Sequence, residues 1–216
     1  MWKHTIAGLG ALALAVALTP VGVAQAQGET CNWNGNVRPL IAKADRQVRQ
    51  VDVAAKARQY YGPGVTVSSY TRMEVDLEAA PGATTRPLDP ATLTRNHVTY
   101  NLALNTSGGS TTASVQMRYG GLCKVAAVFV PQPWVGSTGT DQPLRVSAKK
   151  ALKLAQQYRV KNDLPRSEPL VMMNLMQATT APPDFGKLRW YVNYLTSTGG
   201  LTILAVYMNG KVSQTG

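Results

Sequence analysis

Residues 98–121 of the chain read VTYNLALNTSGGSTTASVQMRYGG, and apolar and polar side chains alternate along both halves of this stretch. Alternation with a period of two is typical of β-strands that pack one face on a core and turn the other face outward. Gly120–Gly121 is a hairpin signal, and it leads into a further strand over residues 122–130. The stretch therefore predicts an antiparallel meander. Its inward side chains are Val98, Tyr100, Leu102, Leu104, Val115, Met117 and Tyr119.

A long helix is predicted upstream of the meander. Asn36 suits the N-cap position, and Gly62–Pro63–Gly64 ends the helix. Residues 65–67 then begin a strand, and residues 72–78 alternate apolar with charged side chains, which predicts a second strand or a continuation of the first. The apolar residues at helical spacing are Val37, Leu40, Ile41, Ala44, Val48, Val51 and Ala55.

The second half of the chain repeats this order of elements. Residues 131–143 form a connector that is rich in proline and glycine, and Ser147 is a natural N-cap for a second helix. Alternating or continuously apolar segments then predict strands over residues 170–176, 188–195 and 201–207.

Helices followed by meanders are typical of the α+β class, in which helices pack on an antiparallel sheet. We therefore expect an α+β fold made of two helix-plus-antiparallel-sheet units, residues 27–143 and residues 144–216. The sequence leaves open whether the two units pack as one globule and whether they share one sheet.

Composition and the N-terminal segment indicate the compartment. The chain has 216 residues, of which 44% are hydrophobic and 15% charged, and this excludes a disordered chain and a charged coiled coil. Residues 1–26 combine Lys3, an apolar run and Ala24-Gln25-Ala26, which is the layout of a secretory signal peptide cut after Ala26. The apolar run is shorter than the ~20 residues of a membrane span. We expect a secreted or periplasmic protein without a membrane span.

Export also determines how the cysteines are interpreted. Cys31 and Cys123 are the only two in the chain, and an even pair in an oxidising compartment predicts one disulfide bond. Two cysteines with the single histidine of the mature chain, His97, make a poor zinc set. We expect no metal site and no cofactor.

The sequence contains no recognisable catalytic constellation. His97 lies opposite the apolar face of its strand, where an exposed or hydrogen-bonded histidine is more common than a catalytic base. Glu74, Asp76 and Glu78 share one strand face and could form a cation site or an acid–base pair, but three like charges in a row favour a solvated face. We therefore expect no catalytic residues and no enzyme activity.

Basic residues give the clearest signal for a partner. The chain has 22 Lys and Arg against 11 Asp and Glu, a formal net charge of +11. Because a helix turns one stripe inward, the cations of both helices, Arg159 among them, should face outward and could bind an anionic envelope polymer, anionic lipid headgroups or an acidic protein. The same charges could equally serve the general solubility of a secreted protein. Export and the lack of a motif disfavour nucleic acid. The residues predicted to form this basic surface are Arg46, Arg49, Lys149, Lys150 and Lys153.

The second half of the chain resembles PepSY-type modules. The resemblance rests on the alanine-rich helix start at 146–152, on Trp190-Tyr191-Val192, and on a closing Asn209-Gly210-Lys211-Val212. It implies an exported or envelope-associated binding domain, in a family with some links to peptidase inhibition and without a catalytic set to transfer.

Part of the connector is similar to a loop of a second protein family. In Gln132-Pro133-Trp134-Val135-Gly136, a glutamine and a glycine bracket apolar residues as in the inhibitory loop of cystatins, with tryptophan where valine is usual. Tryptophans in loops favour partner contact, so we predict a partner-binding site at Trp33, Gln132, Trp134 and Gly136.

Together these observations predict a non-catalytic binding protein, either a peptidase inhibitor or an envelope-associated module. The alternative is a small-ligand carrier or enzyme on a cone-shaped fold of the cystatin-like or nuclear-transport-factor-like kind. In that case His97 or the pair Glu74 and Asp76 would line a pocket. The oligomeric state is left open.

Overall fold

The computed structural model describes residues 36–79, 93–120, 125–135, 137–179 and 185–215. The predicted signal peptide, the cysteine pair, Trp33 and Gly136 lie outside these residues, so the expectations about them stay predictions. The described elements, in chain order, are α1 (Val37–Gln50), α2 (Val53–Tyr61), β1 (Thr66–Glu78), β2 (Arg95–Thr106), β3 (Gly109–Tyr119), β4 (Val125–Val130), α3 (Ala148–Lys161), β5 (Leu170–Gln177), β6 (Leu188–Leu195), β7 (Leu201–Tyr207) and β8 (Val212–Gln214).

The eight strands form one antiparallel sheet in the order β4-β3-β2-β1-β5-β6-β7-β8. Consecutive strands are neighbours everywhere except at the centre, where Glu74–Glu78 of β1 pairs with Met172–Met176 of β5. The sheet is therefore continuous across the point where the connector separates the two halves of the sequence.

The prediction of two helix-plus-antiparallel-sheet units is wrong, because all eight strands in the described part of the chain belong to this single sheet. Two separate four-stranded sheets would leave the backbone groups of β1 and β5 at open edges. Pairing Glu74–Glu78 of β1 with Met172–Met176 of β5 satisfies the backbone groups of these segments and joins the two halves into one sheet. Alternation in the sequence shows which side chains share a face but carries no information on which strands pair over a long separation.

The predicted long helix is also interrupted. α1 ends at Gln50, and α2 begins at Val53 after the cap residue Asp52, whose Oδ1 accepts a hydrogen bond from the Ala55 backbone N–H at 2.8 Å. The two predicted N-caps are confirmed: the side chain of Asn36 accepts from Arg38 N, and that of Ser147 accepts from Lys150 N.

All three helices contribute to one face of the sheet, and the hydrophobic core lies between them. Trp190 is fully buried there, and its indole N–H donates to the Val146 carbonyl at 2.8 Å, which fixes the start of α3 on the sheet. On the same face, Asp45 of α1 accepts hydrogen bonds from the Tyr100 hydroxyl at 2.7 Å and from an Arg72 guanidinium nitrogen at 2.7 Å. These bonds hold α1 on the sheet. None of the helices in the described part of the chain has the length and apolarity to cross a lipid bilayer.

Candidate functional site

The face of the sheet that points away from the helices, called here the open face, carries a buried polar cluster at its centre. The cluster consists of Glu74 and Asp76 on β1, Asn174 on β5 and Asn193 on β6. Each side chain is at most 7% exposed. Their neighbours along the strands, Val75, Met173 and Val192, point into the core. Because successive residues of a strand face opposite sides of the sheet, the four polar side chains share the open face.

Hydrogen bonds join the four side chains of this cluster in a chain across three strands. The Asn174 amide donates to Asp76 Oδ1 at 2.5 Å and to Glu74 Oε1 at 3.2 Å. Asn193 in turn donates to Asn174 Oδ1 at 2.9 Å, which fixes the orientation of the Asn174 amide. Thr99 of β2 lies directly opposite Glu74, and neither Glu74 Oε2 nor Thr99 Oγ1 has a hydrogen-bond partner among the described residues.

The two carboxyl groups of the cluster share protons because both are buried and close to each other. Burial, together with the neighbouring Asp76, raises the pKa of Glu74 to about 9, and hydrogen bonds from Asn174 and Trp134 oppose this rise. Burial raises the pKa of Asp76 to about 6, against hydrogen bonds that lower it. Between these values the pair holds one proton, mainly on Glu74.

His97 and Glu78 extend the polar row towards one end of β1. His97 pairs with Asp76 in the strand register, and its Nδ1 lies 3.5 Å from Glu78 Oε1. Burial lowers the pKa of His97, and the negative charge of Glu78 opposes that shift. The histidine is therefore a buried, carboxylate-paired residue that favours its neutral form.

The connector after β4 crosses the open face. Ser114 of β3 donates from its hydroxyl to the Gln132 carbonyl at 2.8 Å. Further along, Gln177 at the end of β5 donates its backbone N–H to the Gly139 carbonyl at 2.9 Å, and Thr140 hydrogen-bonds to Arg72 of β1. The connector is thus held to three strands of the sheet.

Trp134 and Val135 form the exposed part of the connector, called here the Trp134 tip. The backbone of Trp134 makes two hydrogen bonds with the side chain of Asn101: its N–H donates to Oδ1 at 2.6 Å, and its carbonyl accepts from Nδ2 at 3.0 Å. Trp134 is 39% exposed and Val135 is 80% exposed. The Asn101 side chain of β2 therefore fixes the backbone of Trp134, and a hydrogen bond from the Trp134 side chain to Glu74 places the tip next to the polar cluster.

Two expectations for site residues need correction. Glu74 and Asp76 do not form a solvated face, because amide side chains from β5 and β6, about a hundred residues away in sequence, cover them. Arg159 does not face outward: it is 3% exposed, and its guanidinium donates to Glu168 at 3.3 Å. The residues predicted for the basic surface are exposed, namely Arg46, Arg49, Lys149, Lys150 and Lys153.

Sequence patterns did not indicate the residues that organise the site. Asn101, Asn174 and Asn193 are neither charged nor aromatic, and in the sequence each looks like an ordinary polar residue of a strand. The one available signal was Asn174, because an asparagine inside the apolar run 170–176 is unfavourable in a strand unless its amide is hydrogen-bonded.

No protein-family model, curated protein or solved structure matches the chain. The arrangement of side chains is therefore the basis for any functional conclusion. A proton-sharing carboxyl pair is able to move a proton, and a clamped apolar tip is able to enter a pocket on another molecule.

Proposed function

We propose that this protein is a secreted or periplasmic, non-catalytic binding protein that holds a partner protein at the Trp134 tip. One observation carries the proposal: Trp134 and Val135 are exposed by 39% and 80% on a backbone that Asn101 clamps with two hydrogen bonds. Burying both side chains in a partner would remove a large apolar surface from water.

The clamp matters because a loop that is already ordered loses little conformational entropy when it binds. Ser114 holds the connector two residues before Trp134, and Ser137 and Thr140, both buried, hold it after the tip. The tip is thus a short exposed segment between fixed points, which favours recognition by insertion into a preformed pocket.

A peptidase inhibitor is the more specific form of this proposal. The similarity of Gln132–Gly136 to a cystatin loop and the resemblance of the C-terminal part to PepSY modules both suit it. Assays of cysteine, serine and metallopeptidases with added protein test this form. An inhibited peptidase that regains activity when Trp134→Ala replaces the wild type would support it, and unaffected peptidases would leave only the broader binding role.

Trp134→Ala should lower the retention of a specific partner at least about tenfold, because aromatic anchors at interface centres are commonly worth 2 kcal/mol or more. The measurement uses the purified, oxidised mature protein as bait for the secreted and envelope fraction of its own source. Washing first at low and then at high salt separates a specific protein from polyanions held only by charge.

Two further variants sharpen this test. Phe185→Ala is the matched control, since Phe185 is an aromatic residue that is 58% exposed at a different place, and it should retain the partner like the wild type. Asn101→Ala keeps the indole but removes the clamp, so we expect a smaller loss of about threefold from the added cost of ordering. Equal retention by Trp134→Ala and wild type would refute the proposed interface.

A small-ligand carrier or enzyme is the second candidate. The observation that favours it is the burial of Glu74, Asp76 and His97 on one sheet face, with Glu74 Oε2 and Thr99 Oγ1 lacking partners among the described residues. A thermal-shift screen of small hydrogen-bond donors distinguishes this candidate from the first. Stabilisation of the wild type but not of Glu74→Gln would favour a ligand site in the cluster, and no response would exclude the compounds tested.

A further inference from the structure

We propose that a basic cleft around Arg145 binds a linear polymer of phosphate groups, at a site separate from the Trp134 tip. Two adjoining cavities form the cleft, with volumes of about 360 Å³ and about 550 Å³. Arg145 lines both of them, so they meet at this side chain. The other cations of the cleft are Arg38 and Lys150 in the first cavity and Lys187 and Lys211 in the second.

The described lining residues of the cleft carry charge of one sign. Among the lining residues that the structure describes, five are basic and none is acidic. All five are exposed, so a ligand can reach their charges from solvent. Walls of one charge sign focus the electrostatic field and concentrate ions of the opposite sign. The cleft thus favours an anion with several charges over a neutral or cationic ligand.

The position of Arg145 is fixed by its neighbours in the chain. The Leu144 carbonyl accepts a hydrogen bond from the Arg38 guanidinium at 3.1 Å, and the Val146 carbonyl accepts one from the Trp190 indole at 2.8 Å. Before them, the Gln142 side chain donates to the Gly186 carbonyl at 2.6 Å and accepts from the Leu188 N–H. The backbone on both sides of Arg145 is therefore tied to α1 and β6, so the point from which its side chain extends into the cleft is fixed before binding.

The local backbone structure at each end of the cleft also suits an anion. Lys211 follows a tight turn at Asn209–Gly210, in which the Lys211 N–H donates to Asn209 Oδ1 and Gly210 has a φ of 88°. At the other end, the first turns of α1 and α3 line the smaller cavity and contain no acidic residue. The partial positive charge of these helix starts adds to the cationic side chains and suits phosphate oxygens.

The size of the cleft favours a polymer over a single anion. One phosphate group fills only part of a cleft whose two cavities measure about 360 Å³ and about 550 Å³, whereas a chain of phosphates can extend past Arg145 from one cavity into the next. Each further contact releases counterions from the polymer, so affinity should grow with chain length and fall steeply with salt. Long-chain inorganic polyphosphate is a suitable probe because it presents phosphate groups alone.

The test measures binding of fluorescent polyphosphate to the purified full protein by anisotropy at several salt concentrations. The double variant Arg145→Ala with Lys211→Ala should bind about tenfold more weakly and show a shallower salt dependence, since two phosphate contacts are lost. The control Arg46→Ala with Lys153→Ala removes the same charges from exposed positions outside the cleft, and it should bind within about twofold of the wild type.

Several outcomes would overturn the assignment. Equal losses in the cleft variant and the control variant would mean that net charge and not the cleft attracts the polymer. Equally tight binding of inorganic phosphate or of polyglutamate would contradict a phosphate polymer as the ligand. Binding to vesicles with anionic phospholipid but not to polyphosphate would assign the phosphate chemistry to a membrane surface. None of these results depends on whether the Trp134 tip binds a protein.

Discussion

Arg159→Ala should lower the free energy of unfolding by about 4 kcal/mol, the usual cost of removing one partner from a buried ion pair. The Arg159 side chain is 3% exposed and that of its partner Glu168 is 9% exposed. The guanidinium also donates to the Pro165 carbonyl, and its carbon lies 3.9 Å from the centre of the Tyr194 ring. Alanine would leave the carboxylate and the carbonyl unpaired and the ring uncovered.

Denaturant unfolding of three variants tests this expectation. Lys161→Ala is the matched control, because Lys161 is an exposed cation in the last turn of the same helix, and it should change stability by less than about 0.5 kcal/mol. The double variant Arg159→Met with Glu168→Leu removes both charges and should recover most of the loss. A loss below about 1 kcal/mol for Arg159→Ala would show that the pair is not buried in solution.

The spacing of residues in α3 was enough to predict that Arg159 is buried. It follows Ala151 and Ala155 at intervals of four residues, so it lies on the buried stripe of α3 and not on its outer side. The sequence could not identify the group that compensates a cation there. Glu168 is in an irregular segment, and Tyr194 is on a strand that follows much later.

Elements with local causes were predictable from the sequence, and long-range contacts were not. The N-caps Asn36 and Ser147 and the alternation of β2 and β3 depend on neighbouring residues, and the structure has them at the expected places. The central pairing of β1 with β5 depends on residues about a hundred positions apart, which no local pattern encodes. The single-sheet architecture was missed for this reason.

The candidate site shows the same limit. Trp134 stood out because tryptophans in loops favour partner contact, but Asn101, which clamps its backbone, looked like any other polar residue on a strand. Glu74, Asp76 and Glu78 of β1 seemed suited to solvent, because the sequence shows their charges but not the side chains of other strands that pack over them. Only the sheet order brings Asn174 and Asn193 next to Glu74.

Stability should fall by about 2 kcal/mol between pH 7 and pH 9, and Glu74 should cause most of this fall. Its pKa is about 9 in the folded protein against an ordinary value of 4.5, so over this range the folded state holds a proton that the unfolded state has lost. A state that binds more protons is weakened as the pH rises. Most proteins lose carboxylate-linked stability in acid, so the direction itself is diagnostic.

The pH window separates Glu74 from the other groups with shifted pKa values. The pKa of Asp76 is about 6 and that of His97 is below its ordinary 6.5, so both have largely completed their titration by pH 7. Burial raises the pKa values of Tyr100 and Tyr119 above 10, so their contribution begins only above the window. Chemical denaturation at pH 7, 8 and 9 therefore measures mainly the proton of Glu74.

Glu74→Gln is the decisive variant, because its amide resembles the protonated carboxyl in shape and does not ionise. It should be about as stable as the wild type at pH 7 and about 2 kcal/mol more stable at pH 9, with a nearly flat profile between them. Asp163→Asn, at an exposed acid outside the cluster, should keep the wild-type slope. If Glu74→Gln also kept that slope, Glu74 would be ionised in the folded protein. We do not expect this outcome, because the cluster beneath the Trp134 tip would then hold two negative charges that its few hydrogen bonds stabilise poorly out of water.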